Sequence, residues 1–438
     1  MPFPNQFTTT PSGHLMLGGC DALALTRKYE TPLIVYDVDQ IKAAVSQFTQ
    51  TLTASGLAHA VCYASKAFSC IAIYQLMARL GCHVDVVSGG ELYTALQAHF
   101  PPERISFHGN NKTKAELEFA VASHVGSIII DNFHEINLLK QVLTGNNATV
   151  NVMLRVTPGV EAHTHRYITT GQTDSKFGFD LASGQATTAL QRVLACSRMN
   201  FIGVHAHIGS QIFVPDGFVA AVNRLCVLIT QWKRNFAVIP AILNIGGGFG
   251  VQYTEDDHPV PLKTMLTTIT TTVKRAFDQA HLPLPALWVE PGRALVGPAG
   301  TTLYTVGSEK HVPGRLPYVA IDGGMGDNIR PALYNARYTA VNAACPTAPA
   351  TQHVRLVGKY CESGDVLVDD LRIAPVAAGD IVAVPVTGAY GYSMASNYNR
   401  NCRPAVVFAQ RGRAQLVIQR ESYAQLVTND LSYEGSNE

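Results

Sequence analysis

The sequence predicts an α/β fold in which a (β/α)8 TIM-type barrel over residues 35–295 is followed by a C-terminal all-β domain, residues 296–438, which residues 1–34 join. Two observations predict it. Short β-prone runs alternate with longer segments whose apolar residues recur every three or four positions, and eight such units fit within about 250 residues. From about residue 300 the β-rich runs continue with no long helical pattern between them.

The barrel strands are read, in order, as "AVCYASKA" (60–67), "HVDVVS" (83–88), "ISFHG" (105–109), "SIIID" (127–131), "TVNVMLRV" (149–156), "FIGVHAHIG" (201–209), "AILNIGGG" (241–248) and "LWVEPGR" (287–293). Between them lie helical patterns such as "CIAIYQLMARL", "GELYTALQAHF", "KAELEFAVAS" and "GFVAAVNRLCVLITQWKRN". The second domain is read from "YVAID", "HVRLVGKYCESG", "DIVAVPV", "PAVVFAQRG" and "AQLVIQR". The opening segment is too short to stand alone, and its strand-like "HLMLGG" assigns it to that domain.

Composition excludes several classes of function. With 438 residues, 47% of them apolar, and a net charge of +1, the chain can bury a large core and lacks the basic excess that nucleic acid binding needs. It has no basic leader and no long uncharged apolar run, so a soluble, cytoplasmic protein is expected, without a membrane partner. Nine cysteines, an odd number with no C-x-x-C pair, read as mostly free thiols in a reducing compartment. No metal site is expected.

Barrel enzymes place their chemistry at the C-terminal ends of their strands. There the sequence has Lys66, then Asp85 and Ser88, then His205, His207 and Ser210, then Gly246, Gly247 and Gly248, and finally Glu290, Pro291, Gly292 and Arg293. Each has an ordinary reading when taken alone. Lys66 suits a solvent lysine, "HAHIGSQ" a pair of core histidines, "NIGGGFG" a turn and "EPGR" an ion pair. Position favours chemistry, because glycine backbone lets amides approach a phosphate and late strand-end loops are the usual phosphate sites of such barrels. In the β domain, "KYCESGD" offers a thiol beside two carboxylates and "GAYGYSMASNYN" carries Tyr390.

Together these motifs resemble the diaminopimelate decarboxylases, of the pyridoxal-phosphate-dependent group with an alanine-racemase-like barrel. The likeness runs along nearly the whole chain through "YASKAF", "TGQTDSKFG" (170–178), "HAHIGSQ", "NIGGGFG", "EPGR", "DNIRPALY", "CESGD" and "GAYGYSMASNYN". It implies decarboxylation of meso-diaminopimelate to L-lysine and CO2, the last step of lysine biosynthesis, with pyridoxal 5'-phosphate as cofactor. Tyr392, where alanine is common, has no role assigned by it.

By the resemblance, Lys66 is the Schiff-base lysine, desolvated and flanked by cations, and His207 stacks on the cofactor ring. Ser210, Gly248 and Tyr390 hold the phosphate beside Gly246 and Gly247, Asp85 lies in the cofactor site, and Glu290 meets the pyridinium nitrogen within the Pro291, Gly292 and Arg293 turn. Arg293, Arg330, Tyr334 and Tyr390 take the substrate, Glu362 its distal ammonium, and Cys361 delivers the proton. Cys361 and Glu362 come from the other subunit of a homodimer. A decarboxylase of D-lysine or D-ornithine would share these motifs without needing Arg330. An alanine-racemase-like isomerase would not need Glu290, and a non-catalytic regulator on the same fold would be expected to lose Lys66.

Overall fold

The computed structural model describes residues 7–160 and 175–433. The chain groups into two compact units. One, the barrel unit, holds Gln40–Gln252 and Asp256–Gly297; the other holds the described residues up to Asp39, Tyr253–Glu255, and the described residues from Pro298 onward.

The barrel unit contains β1 (His59–Ala64), β2 (His83–Val86), β3 (Ile105–Phe107), β4 (Ser127–Ile130), β5 (Val150–Thr157), β6 (Met199–His205), β7 (Ile242–Asn244) and β8 (Ala286–Val289). Each strand pairs in parallel with the next, β8 pairs with β1, and β5 with β6, so the ring closes. Every residue of β3 and β4 is buried. That is why these strands read as mostly apolar runs, with their buried serines, Ser106 and Ser127, hydrogen-bonded to each other at 3.0 Å: a parallel sheet is covered on both faces.

Helix starts are set by short polar side chains. Ser88 accepts from Glu91 N at 3.2 Å to open Gly89–Gln97, Thr113 and Glu116 form a capping box for Lys114–Ala122, and Asn132 caps Phe133–Asn146. Ser88 therefore serves a helix end. The expectation of a helix after every strand fails at β8, which is followed by only the four-residue helix Arg293–Val296. The run Gly297-Pro298-Ala299-Gly300 stops it, since proline cannot continue a helix and glycine disfavours one. A long helix, Val38–Ala54, precedes β1 instead.

The second unit is built on a nine-stranded sheet. Its hub is the eleven-residue strand Gly300–Lys310, which pairs antiparallel with Leu33–Asp37, Ile381–Pro385 and Tyr318–Ile321. Leu33–Asp37 also pairs in parallel with Ala405–Gln410. An N-terminal strand thus lies between two C-terminal ones. For this reason the boundary between the units follows Asp39, later than the position 35 expected from sequence. The segment "HLMLGG" contributes the short strand Met16–Leu17. Among the described residues no helix is long and apolar enough to cross a membrane.

One buried ion pair ties β3 to β4. Lys112 Nζ donates to Glu135 Oε1 at 2.8 Å, to Gly109 O at 2.8 Å and to Ile129 O at 2.7 Å. Removing one partner leaves a buried charge uncompensated, at about 3–5 kcal/mol. Glu135→Gln and Lys112→Met should each lower the thermal midpoint by several degrees, and the double variant Lys112→Met with Glu135→Leu should lose less than either. A double variant with the summed loss would show that the charges themselves are not the issue.

Candidate active site

β1 runs into a single 3-10 turn, Ser65–Ala67, that carries Lys66 past the strand end. The turn is pinned on both sides. Ser65 Oγ donates to Glu91 Oε2 at 3.0 Å, Val87 N donates to the same oxygen at 2.7 Å, and Tyr63 OH donates to Phe68 O at 2.7 Å. Lys66 itself is exposed, and the charges it acts on belong to Asp85, Glu91 and His207. The expected desolvated lysine flanked by cations is therefore corrected. Its turn lifts it clear of the buried interior, and two of these three neighbours are acids.

Asp85, on β2, is buried, and its Oδ1 has no hydrogen-bond partner among the described residues. Burial first, and then the charge of Glu290, push its carboxyl well above the usual range, while Lys66 opposes them. An orphaned buried oxygen beside a primary amine suits a polar group brought in from outside.

Glu290 follows β8 directly and is the focus of the interior. Its Oε2 is 3.0 Å from His205 Nε2, and its Oε1 accepts from Asn244 Nδ2 at 2.7 Å. His108 Nε2 lies 3.1 Å from Oε1. Burial favours the neutral acid, but His108 and His205 outweigh it and hold the carboxyl well below its usual range. His108, His205 and Glu290 bring ligating atoms within 4.8 Å of one another, a set that suits a transition metal by type. Here the carboxylate oxygens are already engaged by His205 and Asn244, and the set is a hydrogen-bonded cluster.

The strand-end loops close on one another through backbone contacts. Ala64 N donates to Pro291 O at 3.3 Å, and a Cβ at Gly292 would stand 3.0 Å from Ala64. Arg293, buried in the first position of its short helix, donates from Nη2 to Ser210 Oγ at 2.9 Å. In the glycine triplet, Gly246 N donates to Asn244 Oδ1 at 2.9 Å and Gly247 N to His207 Nδ1 at 3.1 Å. Two of the three amides thus serve the protein itself. Gly248, at φ +98, donates to no partner among the described residues. A Cβ at Gly247 would fall 2.0 Å from Glu290 O, so close packing requires glycine there whatever binds nearby.

His207 lies beyond the end of β6 and is held by Gly247 N rather than by the strand pleat. Its Nδ1 is an acceptor. Burial first, with the charge of Lys66 second, lowers its pKa well below the ordinary histidine value, so the ring is a neutral imidazole.

The β unit gathers the other expected residues into two groups. Cys361 is the one exposed thiol of nine, all of them free. Its N–H donates to Asn399 Oδ1 at 2.9 Å, and the neighbouring Glu362 accepts from Tyr398 OH, whose ring stacks on Tyr360 at 6.2 Å. Arg330 is buried, with its guanidinium 4.8 Å over the Tyr253 ring and 5.6 Å over that of Tyr338, to whose hydroxyl it also donates. Burial works against the charge, and the surrounding tyrosines more than restore it. Tyr334 and Tyr390 are half-buried, Tyr390 with φ +60.

Sequence reasoning missed His108, Asn244, Tyr253, Tyr338, Tyr398 and Asn399. His108 carried a usable signal: it stands one residue past β3, at the same rim as Lys66. Asn244 ends β7 two residues before the triplet. Of the stretch 170–178, residues 170–174 lie outside the described residues.

Residues 38–297 match the family model described as the pyridoxal binding domain of pyridoxal-dependent decarboxylases. A diaminopimelate decarboxylase of Bacillus subtilis is 52% identical over 421 residues, 96% of each chain. A crystal structure of diaminopimelate decarboxylase from M. jannaschii in co-complex with L-lysine has TM-score 0.92 and 34% identity, covering 99% of both chains. That of the Helicobacter pylori enzyme, also complexed with L-lysine, has TM-score 0.84 and 28% identity over 93% of this chain and 98% of that one.

The packing of the glycine loop is directly testable. Gly247→Ala should lower the thermal midpoint, since overpacking of this kind costs about 1–3 kcal/mol. Gly145→Ala, where an added Cβ meets nothing within 4 Å inside a helix, should raise it slightly. Equal midpoints for the two variants would remove the close-approach argument.

Proposed function

This chain belongs to the pyridoxal-dependent decarboxylase family, and we propose that it converts meso-diaminopimelate to L-lysine and CO2 with pyridoxal 5'-phosphate, as a cytoplasmic homodimer. The observation that carries this reading is Glu290, a buried carboxylate held ionised by fixed nitrogen donors. When bound, the cofactor supplies an electron sink for the pair left behind as CO2 departs.

The residues fit that group. Lys66 presents a primary amine that would carry the aldehyde carbon, and the ionised Glu290 would keep a proton on the ring nitrogen. The neutral His207 offers a flat face without a competing charge. Gly248 N–H, Ser210 Oγ and Tyr390 would anchor the phosphate, with Arg293 orienting Ser210 and Gly246 and Gly247 shaping the turn. Asp85, with an oxygen to satisfy, would complete the cofactor side.

On the substrate side, Arg330 is fixed in charge and direction by Tyr253 and Tyr338, as recognition of a distal carboxylate needs. Arg293 and Tyr334 would assist, and Glu362 would accept the distal ammonium. Cys361 would hold the proton at Sγ for the α-carbon, and its solvent exposure leaves it reachable. The partner subunit's Cys361 and Glu362 would serve the site built on Lys66.

Purified protein supplied with cofactor should release CO2 from meso-diaminopimelate well ahead of D-lysine or D-ornithine. Borohydride should fix the cofactor on Lys66, and Lys66→Ala should lose several orders of magnitude in turnover. Arg330→Ala should cost roughly tenfold to a hundredfold in kcat/KM on meso-diaminopimelate and little on D-lysine. An equal loss on both would make Arg330 structural.

Sharing of the site is separately testable. Mixing Lys66→Ala and Cys361→Ala subunits at equal concentration puts about half of the dimers in the mixed state, each with one intact site, for about a quarter of wild-type activity. No recovery, with subunit exchange confirmed, would place both residues in one chain.

A further inference from the structure

We propose that His108 is a positioning residue, the second imidazole of a buried cluster that fixes the Glu290 carboxylate and keeps it ionised for a cationic ring nitrogen. The inference rests on the reading of Glu290 given above.

Three nitrogens converge on this carboxylate from three strand ends. Asn244 cannot turn away, because its Oδ1 accepts from Gly246 N, which directs Nδ2 to Glu290 Oε1. His205 Nε2 engages Oε2. His108 differs from both. Its Nε2 is only 3.1 Å from Oε1, yet off line for a hydrogen bond, and its ring stands edge-on to that of His205 at 5.0 Å.

The separation assigns the proton. A bare, partly negative Nε2 held 3.1 Å from a carboxylate oxygen would be repelled even off line, so the proton of His108 is assigned to Nε2. The off-line N–H stabilises the negative charge without taking one of the lone-pair directions that each carboxylate oxygen keeps after one hydrogen bond. Glu290 can therefore be stabilised and still accept from an incoming N–H. Burial lowers the His108 pKa to about 4, so at neutral pH it acts as a dipole, and no second cation competes with a protonated ring.

Other charged or titratable groups also bear on Glu290. They are Cys62 on β1, Asp85 on β2, Arg155 on β5, and His205 and His207 on and beyond β6. Asp85 repels the carboxylate and Arg155 attracts it. Neither approaches it as His108 does.

The test compares His108→Phe, which fills the space without an N–H, with His108→Gln, which restores a donor. His108→Met stands in should the phenylalanine variant not fold. Apo protein is titrated with pyridoxal phosphate at pH 6 and pH 8, and kcat on meso-diaminopimelate is followed against pH. Glu290 has a depressed pKa, so losing a stabilising dipole raises it, and the ionised form disappears earlier as pH falls. His108→Phe should bind the cofactor about tenfold more weakly at pH 6 and move the acid limb of kcat up by about one pH unit, with KM unchanged. His108→Gln should recover most of both.

Wild-type affinity in His108→Phe, an unmoved acid limb, or a glutamine variant as weak as the phenylalanine one overturns the proposal. Wild-type protein that binds the cofactor but forms no lysine from meso-diaminopimelate would instead sink the assigned reaction, and the titration would still decide the role of His108.

Discussion

The pairing of β5 with β6 closes the barrel, and the site depends on that closure. Parallel strands in a closed ring end at one rim, so residues distant in the chain become electrostatic neighbours. Lys66, Asp85, His108, Arg155, His205 and Glu290 arrive on or just beyond β1, β2, β3, β5, β6 and β8, and their charges act on one another. Few of them could be buried alone, because an unpaired buried charge would neutralise or drag water in.

The two buried charges that matter most are held by different means. Glu290 is stabilised by directional N–H groups at its two oxygens, which fix its orientation as well as its ionisation. Arg330 is stabilised by the faces and hydroxyl of two tyrosines. Ring faces favour the cation without consuming its donors. Each arrangement leaves bonding capacity for something that arrives later, as recognition requires.

Much of this was legible in the sequence, and the failures have physical reasons. All eight barrel strands were found because a doubly covered parallel sheet leaves short, predominantly apolar runs. The missing helix after β8 was not, although the proline and glycines at 297–300 announce it. Lys66 was placed at its strand end, but its exposure depends on a one-turn 3-10 segment that no periodicity reveals. The glycine triplet stands out in the sequence, but that two of its three amides bond Asn244 and His207 is visible only in the atomic packing. The cage around Arg330 was invisible because Tyr253 and Tyr338 have no local signature and meet it only through the fold.

The strand Leu33–Asp37, set between Gly300–Lys310 and Ala405–Gln410, has a consequence for the chain as it leaves the ribosome. Every strand of the barrel has been synthesised once Val289 emerges, so the ring can close while the protein is still tethered. The strand Leu33–Asp37, made before any strand of the barrel, stays without either sheet neighbour until the hub strand appears, and without the second until residue 410 does. Vectorial synthesis therefore completes the unit that carries Lys66 first. A nascent chain stalled between the two would expose one apolar edge strand, an obvious place for a chaperone to hold.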